Sequence, residues 1–156
     1  MTESKRIADQ HRRAFDGEAW HGPALFELLG DLDAARASAR PIAGGHTIWE
    51  IVLHVEAWEE AVHQRLKGRP IELTPDLDWP AVGETGPAAW TRALASLRAT
   101  HDALNRDIAA TRDARLAEVA PGREYTLYHL LHGAVQHALY HAGQIAILKK
   151  GSSTAP

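Results

Sequence analysis

The sequence predicts an all-α fold: an antiparallel four-helix bundle with one long crossover between its second and third helices. Three observations carry that reading. Four stretches repeat apolar residues at three- and four-residue steps, no stretch alternates as a strand does, and one long connection rich in proline, glycine and acid separates two of the four. The chain has 156 residues, 45% hydrophobic and 24% charged, enough to bury a core as one domain over residues 1–150.

The first helical stretch covers about residues 23–39. Pro23 suits a first helical position, Leu25, Leu28, Leu29 and Leu32 form one stripe, and Pro41 with Gly44-Gly45 ends it. The second covers about 48–67. It opens on Thr47-Ile-Trp-Glu50, a capping-box pattern, and carries Ile51, Val55, Trp58 and Val62 inward before Gly68 and Pro70 stop it. Residues 70–87 read as the crossover, packed down by Ile71, Leu73, Leu77 and Trp79. The third helix covers about 88–110, with Trp90, Leu94, Leu97, Leu104 and Ile108 inward, followed by a short helical piece near 113–119. Pro121-Gly122 breaks the chain, Thr126 caps the last helix, and Lys149-Lys150-Gly151 signals its end. Residues 1–20 read as an extra helix or arm, and residues 151–156 as a disordered tail.

Composition narrows the chemistry. A net charge of -3 without a clustered basic face gives no footprint for nucleic acid. No stretch approaches the ~20 apolar residues that span a bilayer, and the first residues lack the apolar core of a signal peptide, so a cytoplasmic protein is expected. With no cysteine, disulfides, thiolate ligands and a cysteine nucleophile are excluded. Ten histidines make imidazole and carboxylate the available metal ligands, which suit zinc, nickel or iron better than calcium or magnesium.

The candidate ligands are His54, His137 and His141. His137 and His141 stand one turn apart, about 40° around the helix axis, so both can reach one ion. Leu130, Ala134, Ile145 and Leu148 fall on the same face, which places the pair toward the interior. Two hydrogen-bonded core histidines are the competing reading of that pair. A third histidine, His54, shares the apolar face of the second helix with Ile51 and Trp58, and three imidazoles from two helices favour a metal.

The remaining histidines separate from these. His63 falls opposite His54 and reads as solvated, His132 turns away from the pair, and His129 sits at the edge of its face. His11 and His101 show no partner in sequence, and His21 and His46 flank helix starts. Glu50, Tyr140 and Gln144 are candidates for orienting the ligands. No His-Glu-x-x-His motif supplies a general base, and Glu56 faces outward. The tryptophans read as packing residues: Trp58, one turn beyond His54, as core or cleft wall, and Trp79 as the pin of the crossover.

At these residues the chain resembles the DinB-like, or YfiT-like, family of metal-binding four-helix bundles. The likeness rests on His54 in HTIWEIVLHVEAW, on the pair in QHALYHAGQIAILKK with its HxGQI-like run, and on the GEAWHGPAL segment starting at Gly17. It implies up-down-down-up helix order, homodimers, and nickel or zinc held by the three histidines. Some relatives transfer thiol cofactors such as bacillithiol or mycothiol to electrophiles, and others are hydrolases. The expectation is therefore a metal-dependent S-transferase using a low-molecular-weight thiol. A metal-dependent hydrolase and a non-catalytic stress-response binding module are the alternatives.

Overall fold

A computed structural model describes residues 1–152 of the chain. The described residues are all-helical, with no strand; one isolated antiparallel bridge joins Val119 and Thr126. Seven α-helices follow in order: α1 (Glu3–Asp16), α2 (Leu25–Leu29), α3 (Ala34–Ser38), α4 (Ile48–Leu66), α5 (Pro75–Asp78), α6 (Pro87–Ala110) and α7 (Leu127–Ser152). A 3-10 turn, Asp113–Ala117, lies between α6 and α7. Four helices are long, and they close on one another: α1 and α4 each pack against both α6 and α7.

The N-terminal segment is one of these four helices, where the sequence suggested an accessory helix or arm. Thr2 caps α1 by accepting from the Lys5 N–H, and the Asp113 carboxylate accepts from the N–H groups of Glu3 (2.9 Å) and Ser4 (3.0 Å). The inward face of α1 is Ile7, Ala8, His11, Ala14 and Phe15. Gly17 ends the helix at φ 136°, where a Cβ would come within 3.3 Å of the Glu27 carboxylate.

The expected helix over 23–39 is broken in two. Its leucines are buried as the periodicity requires, Leu25, Leu28, Leu29 and Leu32 alike. However, Gly30 ends α2, and Asp33 caps α3 by accepting from the Arg36 N–H at 2.8 Å. An aspartate that can bond the backbone ahead of it competes with helix continuation, and glycine weakens it.

The other long helices start where the residues indicate. At α4, Thr47 Oγ1 accepts from the Glu50 N–H (3.1 Å), while the Glu50 carboxylate accepts from the Thr47 N–H (2.7 Å). Pro87 occupies the first turn of α6, and the Trp90 indole N–H donates to the Leu32 carbonyl at 2.9 Å. Thr126 accepts from the His129 N–H at the head of α7. That helix continues through Gly151 to Ser152, held by Lys149 Nζ donating to the Leu28 carbonyl and to Asp31. Residues 153–156, the rest of the expected tail, lie outside the described residues. No helix among the described residues is long and apolar enough to cross a membrane.

The buried apolar residues fall into two clusters rather than one. The first gathers Phe15, Leu25, Leu29, Ile51, Val55, Trp90, Leu97, Ala138 and Ile145. The second gathers Ile7, Val62, Leu66, Leu104, Ile108, Leu127, Leu131 and Ala134. Along each long helix a polar residue stands where one cluster gives way to the other. These are His11 on α1, Glu59 on α4, His101 on α6 and His137 on α7. A polar layer thus crosses the interior, and the candidate chemistry is in and beside it.

Candidate metal centre

Helices α4 and α7 bring His54, His137 and His141 together. The Nε2 atom of His137 lies 3.1 Å from Nε2 of His54 and 3.1 Å from Nε2 of His141. Around a tetrahedral ion with bonds of about 2.0–2.1 Å, ligand nitrogens stand roughly 3.3 Å apart. The spacing therefore fits one small divalent cation.

The backs of two of the rings, His54 and His141, are held as metal ligands require. His54 Nδ1 is 2.7 Å from the Asp78 carbonyl oxygen and 3.1 Å from Asp78 Oδ1. His141 Nδ1 is 2.7 Å from Gln144 Oε1. Each acceptor keeps the proton on Nδ1 and turns the Nε2 lone pair toward the centre. Burial then removes the competing proton at Nε2. It pushes His137 down to about 3, with the neighbouring His141 and His54 adding to the effect. It pushes His141 down to about 4 against the pull of Gln144, and it also lowers His54. Three neutral imidazoles with converging lone pairs are a ligand set at neutral pH.

Aromatic rings enclose this set. Trp79 stacks on His54 with centroids 3.8 Å apart, and His46 stacks on the same indole at 3.6 Å. Trp58 meets His54 and His137 obliquely, and its indole N–H donates to Asp78 Oδ1 at 2.6 Å. A cavity of about 440 Å³ opens from the three histidines, lined by Trp58, Trp79, Tyr125, Leu130, Tyr140, His129 and others, with Glu59 and Asp78 as its carboxylates. A small molecule in this cavity can reach the imidazole cluster, and most of what it would touch on the way is apolar or aromatic.

The proposed orienting residues divide. Gln144 performs that part for His141. Glu50 does not: its carboxylate is committed to Thr47 and to Arg40 Nη2 at 2.7 Å. Tyr140 meets His141 edge-on at 5.1 Å and is 66% exposed. Glu56 bonds the Ser96 hydroxyl on the outer side, as its outward position suggested.

Other positions differ from the sequence reading. His63 is buried, not solvated, because Asp107 on α6 takes its Nε2 at 2.8 Å. His11 and His101 have a partner after all, the buried Glu59 carboxylate between them. The signal was available in part. Glu59 stands four residues after Val55 and three before Val62, a charged residue in an apolar stripe. His101 holds the same relation to Leu97 and Leu104, and His11 to Ile7 and Ala14. Asp78 and Trp79 lie at the end of α5, in the connection between α4 and α6, and no periodicity could bring them to His54.

The fold and site define a class: all-helical proteins that converge imidazoles from two packed helices into a group able to hold a metal ion. Within that class the chain belongs to the DinB superfamily, whose sequence profile matches residues 19–145. The match spans α2 to most of α7 and carries all three convergent histidines. No curated protein and no solved structure gives a significant match.

Proposed function

We propose that this chain is a metal-dependent enzyme that transfers a low-molecular-weight thiol to an electrophilic substrate. It would do so on an antiparallel four-helix bundle with up-down-down-up order, α1, α4, α6 and α7 being the four. His54, His137 and His141 hold the ion, nickel or zinc. The observation that carries the reading is the convergence of three neutral Nε2 atoms on the wall of an aromatic cavity. When bound, a divalent cation there supplies Lewis acidity that favours the thiolate form of a thiol, the competent nucleophile.

The chain's own residues do the rest. Asp78 and Gln144 fix the tautomers of His54 and His141. Trp58 and Trp79 exclude water from the imidazoles, which strengthens every polar interaction at the cluster. Tyr125 and Tyr140 offer rings against which an apolar electrophile can lie. Because the chain has no cysteine, the thiol must arrive as a separate small molecule.

The test is spectroscopic. Cobalt-substituted protein is titrated with glutathione, bacillithiol and mycothiol while its visible absorption is followed. A saturable change with one of them is expected. If none perturbs the spectrum, the transferase reading fails.

A further inference from the structure

The polar layer holds a second group of ligating side chains, which shares no residue with the three histidines although its Glu59 also borders their cavity. His11 comes from α1, Glu59 from α4 and His101 from α6. All three are buried, at 0%, 3% and 1% exposure. His11 Nε2 lies 2.9 Å from Glu59 Oε2 and 3.1 Å from Oε1, and His101 Nδ1 lies 3.4 Å from Glu59 Oε2. We propose that His11, Glu59 and His101 form a second, buried metal site that takes one zinc-class divalent cation through two imidazole nitrogens and a carboxylate.

Three observations lead there. The first is spacing. Nitrogens and oxygens bound at about 2.0–2.2 Å around a tetrahedral zinc-like ion stand roughly 3.3–3.6 Å apart. Glu59 Oε2 already lies 2.9 Å and 3.4 Å from a nitrogen of each imidazole, with all three ligand atoms within 4.8 Å of one another. The second is the support behind the ligands. His11 Nδ1 is 3.1 Å from Asn105 Oδ1, repeating the arrangement of His141 with Gln144, and Asp16 Oδ2 lies 3.9 Å from His101 Nε2. The third is cost. Phe15 stacks on His101 at 4.0 Å, and apolar clusters lie on both sides of the layer. A carboxylate in such a place is costly to desolvate, and a divalent cation offsets that cost directly.

The group stays ready for a cation. The Glu59 carboxylate accepts from both imidazoles, so the three groups already converge on one point. Metal entry displaces the imidazole protons that now bond it. With ligands from three helices, this ion ties α1, α4 and α6 together. His11 also precedes residues 19–145, so the family match does not include the complete group.

Metal stoichiometry decides the matter. The full chain, stripped with chelator and reconstituted with zinc, is analysed by elemental analysis beside His137→Ala/His141→Ala and Glu59→Gln variants. About two equivalents are expected in the wild type and about one in each variant. X-ray absorption of the zinc-loaded His137→Ala/His141→Ala protein should show a nitrogen and oxygen shell with two imidazoles. Retention of about one equivalent by that variant, and its loss when Glu59→Gln is added to it, supports the second site whatever becomes of the first. One equivalent in the wild type and none in His137→Ala/His141→Ala overturns it and leaves a hydrogen-bonded ion pair. Two equivalents in Glu59→Gln would overturn it as well. If Glu59→Gln does not fold, His101→Asn takes its place, and the cavity variant decides without touching the cluster.

Discussion

Trp79 lies flat on His54, ring centroids 3.8 Å apart and planes 8° from parallel, although one residue follows α5 and the other lies within α4. Its neighbour Asp78 bonds the same imidazole at Nδ1, so residues 78 and 79 together set the ring's tilt and tautomer. Trp79→Ala should therefore weaken metal binding at the cavity without touching a ligand. A loss of about 10- to 100-fold is expected, the usual cost of removing support behind a ligating histidine. Competition against a chromophoric chelator measures it, and Trp79→Phe should recover most of the loss. Unchanged affinity in Trp79→Ala would show that the stack has no part in positioning His54.

The metal-free protein should lose stability as pH falls through a defined window. In the unfolded chain a histidine takes up its proton near 6.5, whereas folded His137 and His141 do so only at about 3 and about 4. Between those values the unfolded state binds more protons. The stability present above 6.5 is thus lost as pH drops toward the folded values. Glu59, lowered from 4.5 to about 2, acts in the same direction at still lower pH. His11 is raised by Glu59 and acts oppositely, losing its contribution as pH rises through its folded value. Thermal melts of chelated protein should show Tm falling from pH 6.5 to about 4, with a shallower slope in His137→Ala/His141→Ala. Equal slopes would place the acid sensitivity elsewhere.

What the sequence could show followed from the reach of its periodicities. The pair at 137 and 141 is a local fact of one helix, and the apolar company of His54 is local to another, so both could be read directly. The junction of α2 and α3 could not, because Leu28 and Leu32 keep helical spacing across the break at Gly30. Helix α1 was hidden for a different reason: its buried face includes Ser4 and His11, which dilute the apolar signal. Glu59 is a charged residue in an apolar stripe, and only the packing of α1 and α6 sets an imidazole on each side of it. The contacts of Asp78 and Trp79 depend on how the long connection lies over α4, which no spacing rule encodes.

Helix α4 carries His54 and Glu59, so its start offers a way to separate stability from ligation. The reciprocal bonds of Thr47 and Glu50 satisfy N–H groups that the helix itself leaves free. Thr47→Ala removes the forward bond and should cost about 1 kcal/mol, within a range of roughly 0.5–2. Urea denaturation measures the loss. Metal content should not change, since both ligands lie two or more turns away. A fall in metal content would mean that the cap sets the register of α4 against α7.

The last prediction concerns α1, which precedes the residues matched by the superfamily profile. Such a segment might be taken for an appendage, but Phe15 is fully buried and sits in the first apolar cluster. Its ring stacks on His101 at 4.0 Å and meets Phe26 at 5.7 Å, so it closes the polar layer on one side. Removing a buried phenylalanine costs about 3–5 kcal/mol, because the transfer energy of the ring is lost and a cavity remains. For Phe15→Ala that cavity would border His101 and admit water to a group now at 1% exposure. A loss of that size is therefore expected in urea denaturation, together with faster release of whatever ion the His11, Glu59 and His101 group holds. Phe15→Leu, which keeps most of the volume, should restore much of the stability. A loss below about 1 kcal/mol for Phe15→Ala would make α1 dispensable to the core, contrary to its buried face.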